Sequence, residues 1–452
     1  MAEANLVNLS ATDAAAEIAR GAFSAQDYAR AWLDRIAEIE PEIGAFAHID
    51  AEHVMAQARE RDEYRLSGAP LGPLHGIPVA IKDIIDTKDY PTEFGSPLFA
   101  GRQPDDDATV VSKLRLAGAV ILGKTVTTEF AYFHPGKTRN PHDVAHTPGG
   151  SSSGSAAAVA AGMTPLAIGT QTNGSVIRPA SFCGIYGMKP SKGLVSRSGV
   201  LPLSAAVDTV GPFARSLPDL ALLLRAMAGY DTADPDTRPA IVPDFPAFAR
   251  ETFPIPPRFA FMRTPVWDKA EPATRKAFEQ LVEKLGNDCI SIDLPDHYAD
   301  AWKVHRTIMV AEMAHNLGAF ADRGGEMISK VLRDLVAEGR AIGAVQYQDA
   351  LAEARAIANS FAGYFQHCNA IITPSAPGAA PKGLETTGDP VFCTLWSLSG
   401  LPSLSLPLLQ DESGMPVGVQ LVGAPHDDAR LLRTAHSLIQ AVAPKGKRKT
   451  KA

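Results

Sequence analysis

Cysteine is scarce in this chain: Cys183, Cys289, Cys368 and Cys393 are the four in 452 residues, far apart and with no Cys-x-x-Cys pair. That spacing excludes a disulfide-stapled scaffold and a zinc ribbon, and it fits a reducing compartment. The N-terminal Met-Ala-Glu-Ala-Asn lacks a basic region leading into an apolar one, so no secretory signal is expected and a cytoplasmic location is. A charge-free segment of 31 residues runs from Thr147 to Ile177, but Gly, Ser, Thr and Pro interrupt it throughout. A bilayer span needs about 20 predominantly apolar residues, so no membrane association is expected. A basic excess is missing too: net charge is −7, although five of the last eight residues are Lys or Arg. Phosphate neutralisation needs a basic face, so nucleic acid is not an expected partner, and the tail at 445–452 reads as a disordered, solvated end.

What is present is an ordinary globular composition, 45% hydrophobic and 21% charged. Residues 1–66 read as helices: Ser24 and Asp27 form an N-cap signal, and Tyr28, Trp32, Ile36 and Ile39 recur at helical spacing. Short apolar runs at 77–81, 119–122, 166–169, 370–372, 404–406 and 417–422 read as buried strands, with helices predicted over 51–66, 108–117 and 154–161. This alternation predicts an α/β fold with helices covering a largely parallel or mixed sheet. Residues 1–444 are read as one domain, with a long surface connection over 231–257 and a helix-rich insertion over about 270–368. Sites in such folds lie at strand ends, and Lys82 stands at one.

Several motifs compete for the chemistry. Gly118-Ala-Val-Ile-Leu-Gly123-Lys124-Thr125 satisfies the phosphate-loop pattern. That loop must follow a strand and open a helix, whereas here the variable positions form the strand itself. Gly150-Ser-Ser152-Ser-Gly154 fits the nucleophile elbow of α/β-hydrolases, which makes an esterase using Ser152 an alternative, but a turn-rich stretch precedes it where a strand is required. His134, His142 and His146 lack a matched acidic partner and read as ordinary hydrogen-bonding residues, so no metal is expected.

The remaining constellation is Lys82, then Gly149-Gly-Ser151-Ser-Ser-Gly154, then Gly169-Thr-Gln171-Thr172-Asn173-Gly174-Ser175-Val-Ile-Arg178-Pro. In this order the segments resemble the amidase-signature family of Ser-Ser-Lys hydrolases. The similarity is close over 71–215 and resumes at 370–374 and 398–423. The resemblance implies Ser175 as nucleophile, Ser151 as a bridging serine held by a cis peptide, Lys82 as base, and backbone N–H groups of Thr172, Asn173, Gly174 and Ser175 as the oxyanion site. It also implies the family's α/β fold, with a mixed central sheet covered by helices on both faces, and no cofactor.

The residue types suit that chemistry. A serine hydroxyl needs a neighbouring base as it attacks, and Ser-Lys pairs can replace Ser-His-Asp. Lysine serves only when neutral, and its reference pKa is about 10.4, so burial must depress it. The charge-free segment supplies a poorly solvating environment. The expected activity is hydrolysis of a small-molecule carboxamide to an acid plus ammonia or amine through an acyl-enzyme. The same resemblance admits the glutaminase subunit of a tRNA-dependent amidotransferase, which passes ammonia to a partner; a homodimer is the other expected assembly.

The sequence departs from the commonest family pattern. Gln171 and Asn173 stand where Asp and Gly are usual, Val176-Ile-Arg178-Pro replaces Ile-Arg-apolar-Pro, and Ser153 replaces a glycine. The Gln171 and Arg178 arrangement is similar to malonamidase-like bacterial members. Arg178 suits a substrate carboxylate, or equally a buried structural partner. Gln171, Gly150, Ser152, Phe130 and Tyr132 complete the candidate substrate-binding set, while Phe130, Tyr132, Phe133 and Trp396 suit core packing as well as an aromatic acyl pocket.

Overall fold

The computed structural model describes residues 6–443, so the basic tail at 445–452 lies outside the described residues. Its strands, in chain order, are β1 (Phe46–His48), β2 (Pro78–Lys82), β3 (Val120–Thr125), β4 (Leu166–Gln171), β5 (Tyr186–Lys189), β6 (Thr209–Ala214), β7 (Phe259–Arg263), β8 (Cys289–Asp293), β9 (Ala370–Pro374), β10 (Ser403–Gln410) and β11 (Pro416–Val422). All eleven join one sheet in the order β1-β3-β2-β4-β6-β5-β10-β11-β9-β7-β8. Strand β2 runs parallel to β3 and β4, and β7 runs parallel to β8 and β9, while the other pairings are antiparallel. This is the mixed, helix-covered sheet of the predicted α/β class.

Strands β2, β3 and β4 are buried along their whole length, which is why they read as continuous apolar runs. The N-terminal helices form at Ala11–Arg20, Ala25–Ile43 and Ala51–Leu66. Ser24 and Asp27 make the expected reciprocal cap, an arrangement that stabilises a helix start by about 1 kcal/mol. This region is not wholly helical, because β1 leaves it to pair with β3. The segment at 270–368 is mostly helix, at Pro272–Leu285, Ala301–Gly324, Lys330–Arg340 and Ala344–Ser360, and it also carries β8, which pairs with β7 at the sheet's far edge. Strand β6 contains Gly211 and Pro212, residues that argue against a central strand. Proline is tolerated there because β5 pairs with β6 only at Ala214 and Phe213, leaving Pro212 beyond that ladder.

Two features position the site. Strands β2 and β4 are parallel neighbours, so Lys82 at the end of one and the turn after Gln171 at the end of the other emerge side by side. The helix Ser153–Ala160 begins at the same end, and its second residue must be glycine. A Cβ on Gly154 would sit 2.2 Å from the Ala45 carbonyl oxygen and 2.5 Å from the Val126 nitrogen. Closing that helix onto the chain around β3 brings Ser151 to the carboxyl edge of β2.

Candidate active site

Lys82 is completely buried. Its Nζ donates to Ser151 Oγ at 2.7 Å and to Thr170 Oγ1 at 2.8 Å. Burial pushes the ammonium pKa well below the ordinary lysine value, while the negative charge of Asp208 opposes that shift. Charge on an amine is costly where water is excluded, so the neutral, proton-accepting form is favoured.

The Gly150–Ser151 peptide is cis, and the Ser151 carbonyl accepts from the Thr128 N–H at 3.3 Å. Ser151 and Ser175 both line a narrow cavity with Asn173, Gly174 and Arg178. Ser175 is half-buried and makes no hydrogen bond to Ser151 among the described residues. The N–H groups of Asn173, Gly174 and Ser175 have no acceptor among the described residues, leaving three donors at one rim of the cavity. Thr172 lines the cavity as well, with its hydroxyl donating to Asp208 Oδ1 at 2.6 Å. Asn173 Oδ1 accepts from Thr394 Oγ1 at 2.9 Å, which anchors that side chain to the helix Val391–Leu398.

Arg178 is buried at the cavity wall, and one Nη donates to the Gly150 carbonyl at 2.7 Å and to Thr387 Oγ1 at 3.1 Å. Its Nε and other Nη have no partner among the described residues, and burial lowers the guanidinium pKa to about 10. The two unused donors lie on different edges of the guanidinium, because the Nη common to both edges is taken by Gly150 and Thr387, so each is left to meet a single oxygen of an anion.

Other candidates are placed elsewhere. Ser152 is fully buried, donating to the Thr170 carbonyl at 3.2 Å and accepting from the Thr170 N–H at 3.3 Å. No strand presents it, which removes the esterase alternative. Gly150 serves Arg178 through its carbonyl, and a Cβ there would lie 2.7 Å from Thr387. Gln171 points away from the cavity: its Oε1 accepts from the N–H groups of Val176 and Ile177 at 2.9 and 3.0 Å, and its Nε2 donates to Ser397 at 3.0 Å. Phe130 packs in a buried aromatic cluster with Phe94, Phe99 and Phe320, and Trp396 is core. Tyr132 and Phe133 do line the cavity. Lys124 lies inside β3 and donates to the Ile85 carbonyl at 2.8 Å, so the phosphate-loop match is a strand. His142 contacts the Cys183 carbonyl at 3.0 Å and His146 faces Asp143 at 3.1 Å.

Sequence reasoning missed Thr170, Asp208, His305, Met309 and Met313. Thr170 stands on β4 one residue before Gln171 and so next to Lys82, a placement that strand pairing alone could have revealed. Met309 and Met313 line the cavity from the helix Ala301–Gly324, and His305 Nε2 contacts the Thr172 carbonyl at 3.1 Å. No local signal ties that distant helix to the turn at 172–175. A second, roomier cavity adjoins the first through Thr172 and Leu203, with Thr170 and Asp208 in its wall.

Comparison with known proteins agrees with this fold. The sequence profile of the Amidase family matches residues 27–432. The A subunit of the glutamyl-tRNA(Gln) amidotransferase of Salinispora arenicola (strain CNS-205) is 36% identical, with 97% of this chain and 98% of that protein covered. Among solved structures, a vestigial protein complex bearing on the origins of an s-triazine catabolic enzyme superposes with a TM-score of 0.89 at 30% identity, covering 96% of this chain and 99% of the other. The native peptide amidase of Stenotrophomonas maltophilia gives a TM-score of 0.84 at 31% identity, covering 96% and 97%. The chain belongs to the amidase family and is an amide hydrolase.

Proposed function

We propose that the chain, as one catalytic domain, cleaves a carboxamide through an acyl-enzyme on Ser175. The observation carrying this reading is a fully buried lysine bonded to a serine that shares a cavity with a second serine. Ser175 Oγ forms a bond to the amide carbon as its proton passes to Ser151, whose own proton passes to Lys82. The N–H groups at 173–175 donate to the developing oxyanion, each such donor contributing about 2.7–4 kcal/mol to transition-state stabilisation. The C–N bond then breaks, and the relay in reverse returns the proton to the departing nitrogen. Water adds to the ester by the same path and releases the acid. The contact between Ser175 and Ser151 forms with substrate in place, since catalytic hydrogen bonds are often loose in ligand-free enzymes.

Arg178 supports an acyl group that carries a carboxylate, as in the half-amide of a short dicarboxylic acid or the side-chain amide of an amino acid. Its unpaired Nε and Nη are the donors left for it, and the malonamidase-like arrangement of Gln171 and Arg178 fits the same substrate class. The apolar wall of Leu203, Met309 and Met313 suits a short methylene spacer.

A second reading concerns the fate of the ammonia. The relatives named as the A subunits of amidotransferases match over nearly their whole length, and they support a glutaminase subunit more directly than a free-standing amidase. Both readings use the same site. Ammonia release by the purified chain from succinamate, propionamide and L-glutamine, alone and after co-purification with any bound protein, separates them. A free amidase turns over succinamate unaided, whereas the glutaminase component of a complex shows glutamine hydrolysis that rises with its partner.

A further inference from the structure

Three segments distant in sequence meet around the cavity: the turn at 172–175, the loop at 203–208 and the helix Ala301–Gly324. Polar contacts join them pairwise into a closed ring. Turn and loop are joined by the Thr172 hydroxyl on Asp208 Oδ1 at 2.6 Å, while Asp208 Oδ2 accepts from the N–H groups of Leu203 and Ser204, each at 2.8 Å. Loop and helix are joined by Glu312, which accepts from the Ser204 hydroxyl and from the Ala206 N–H at 3.1 Å, and by Asn316 Nδ2 on the Leu203 carbonyl at 3.0 Å. Helix and turn are joined by His305, whose Nε2 reaches the Thr172 carbonyl at 3.1 Å. Because the partner is a carbonyl, Nε2 carries the proton, and burial holds the ring's pKa at about 4, leaving it neutral at pH 7.

We propose that Asp208, Glu312 and His305 are positioning residues that close a ring through Thr172 and so fix the turn whose N–H groups receive the oxyanion, an inference that rests on the reading of Ser175 as nucleophile. A turn held only by its chain neighbours can pivot. Held at both the hydroxyl and the carbonyl of Thr172, it cannot shift without breaking a buried hydrogen bond. Displacements of 1 Å at reacting atoms cost about a hundredfold in rate.

Asp208 has an electrostatic role as well. The charged groups around it are Lys82 from β2 and Arg197, itself paired to Asp234 and Asp236, while neutral His305 faces the same turn. Burial raises the Asp208 pKa to about 6, and above that pH its charge favours protonated Lys82. Neutralising Asp208 therefore lowers the pH at which Lys82 loses its proton, whereas removing the Thr172 hydroxyl keeps the carboxylate and only withdraws one of the bonds that hold its pKa down, a smaller effect.

The test compares Thr172→Val, Thr172→Ser, Asp208→Asn, the Val/Asn double variant and Glu312→Ala. The substrate is whichever of succinamate, propionamide and L-glutamine the wild type turns over fastest. Active-site concentration is measured by fluorophosphonate labelling and stability by Tm. Per labelled site, Thr172→Val and Asp208→Asn should each lose about tenfold or more in kcat with KM within about twofold. The double variant should be no worse than the poorer single, because both break one edge of the ring. Thr172→Ser should recover most of the loss. Glu312→Ala, which lies outside the cavity, should lower kcat several-fold. The acid limb of kcat/KM should move to lower pH in Asp208→Asn and move less in Thr172→Val, which keeps the carboxylate. Wild-type kcat per labelled site in Thr172→Val and Asp208→Asn, or losses that follow only Tm and labelled fraction, would overturn the ring. Retained turnover in Ser175→Ala would instead overturn the nucleophile reading beneath it.

Discussion

Lys82 Nζ and Ser151 Oγ are 2.7 Å apart, one from the end of a central strand and the other from a cis peptide 69 residues away, and neither reaches bulk water. The contact gives an amine that would ordinarily be protonated a partner that both donates and accepts. Its acidity and its effect on folding are therefore opposed.

The first prediction separates activity from stability. Lys82→Met should abolish turnover while raising Tm at neutral pH. The sign follows from linkage: the folded-state pKa lies below the unfolded value of about 10.4, so the unfolded chain binds more protons throughout that interval. Lys82 therefore costs stability below the unfolded pKa, and the cost disappears as pH rises through it. Melting curves at pH 7 and 10.5 check this; the gain should be about 1–2 °C or more at pH 7 and smaller at pH 10.5.

The second concerns rate against pH. Protonated Lys82 cannot accept from Ser151, so kcat/KM should fall as pH drops through the depressed lysine pKa and stay level above it. A profile that rises only near pH 10 would mean that burial has not released the proton.

The third concerns Arg178. Arg178→Met should lower kcat/KM for succinamate by about tenfold or more, matching the loss of a hydrogen bond to a charged group of about 1.5–3 kcal/mol. Propionamide should be much less affected. An equal loss on both would assign Arg178 to holding Gly150 and Thr387 alone.

The fourth concerns Gln171, whose side chain closes the turn after Ser175. Gln171→Leu leaves two buried N–H groups without their acceptor, each costing about 1–3 kcal/mol. Tm should fall clearly, and kcat should fall with KM nearly constant.

The pattern of legibility follows from the range of the interactions. Strands β2, β3 and β4 are buried on both faces and announce themselves as apolar runs; Lys82 stands out because a charged residue ends one of them. The Gly/Ser clusters betray places where backbone must pack closely, as Gly154 does against Ala45. Strand β6 was hidden because Gly211 and Pro212 are turn residues locally and tolerable only in that ladder. Gln171 reads as a polar side chain at a site, yet its amide is consumed by backbone donors five and six residues on. Asp208, His305 and Met309 reach the site through packing between segments separated by as many as 133 residues, for which the sequence holds no periodic signal.

The central claim is that Ser175 is activated by neutral Lys82 through Ser151, and covalent labelling tests it most directly. A fluorophosphonate probe followed by peptide mapping should place the adduct on Ser175, at a rate that rises with pH and that Lys82→Met reduces by about a thousandfold or more. An adduct on Ser152, or unchanged labelling of Ser175 in Lys82→Met, would contradict the account.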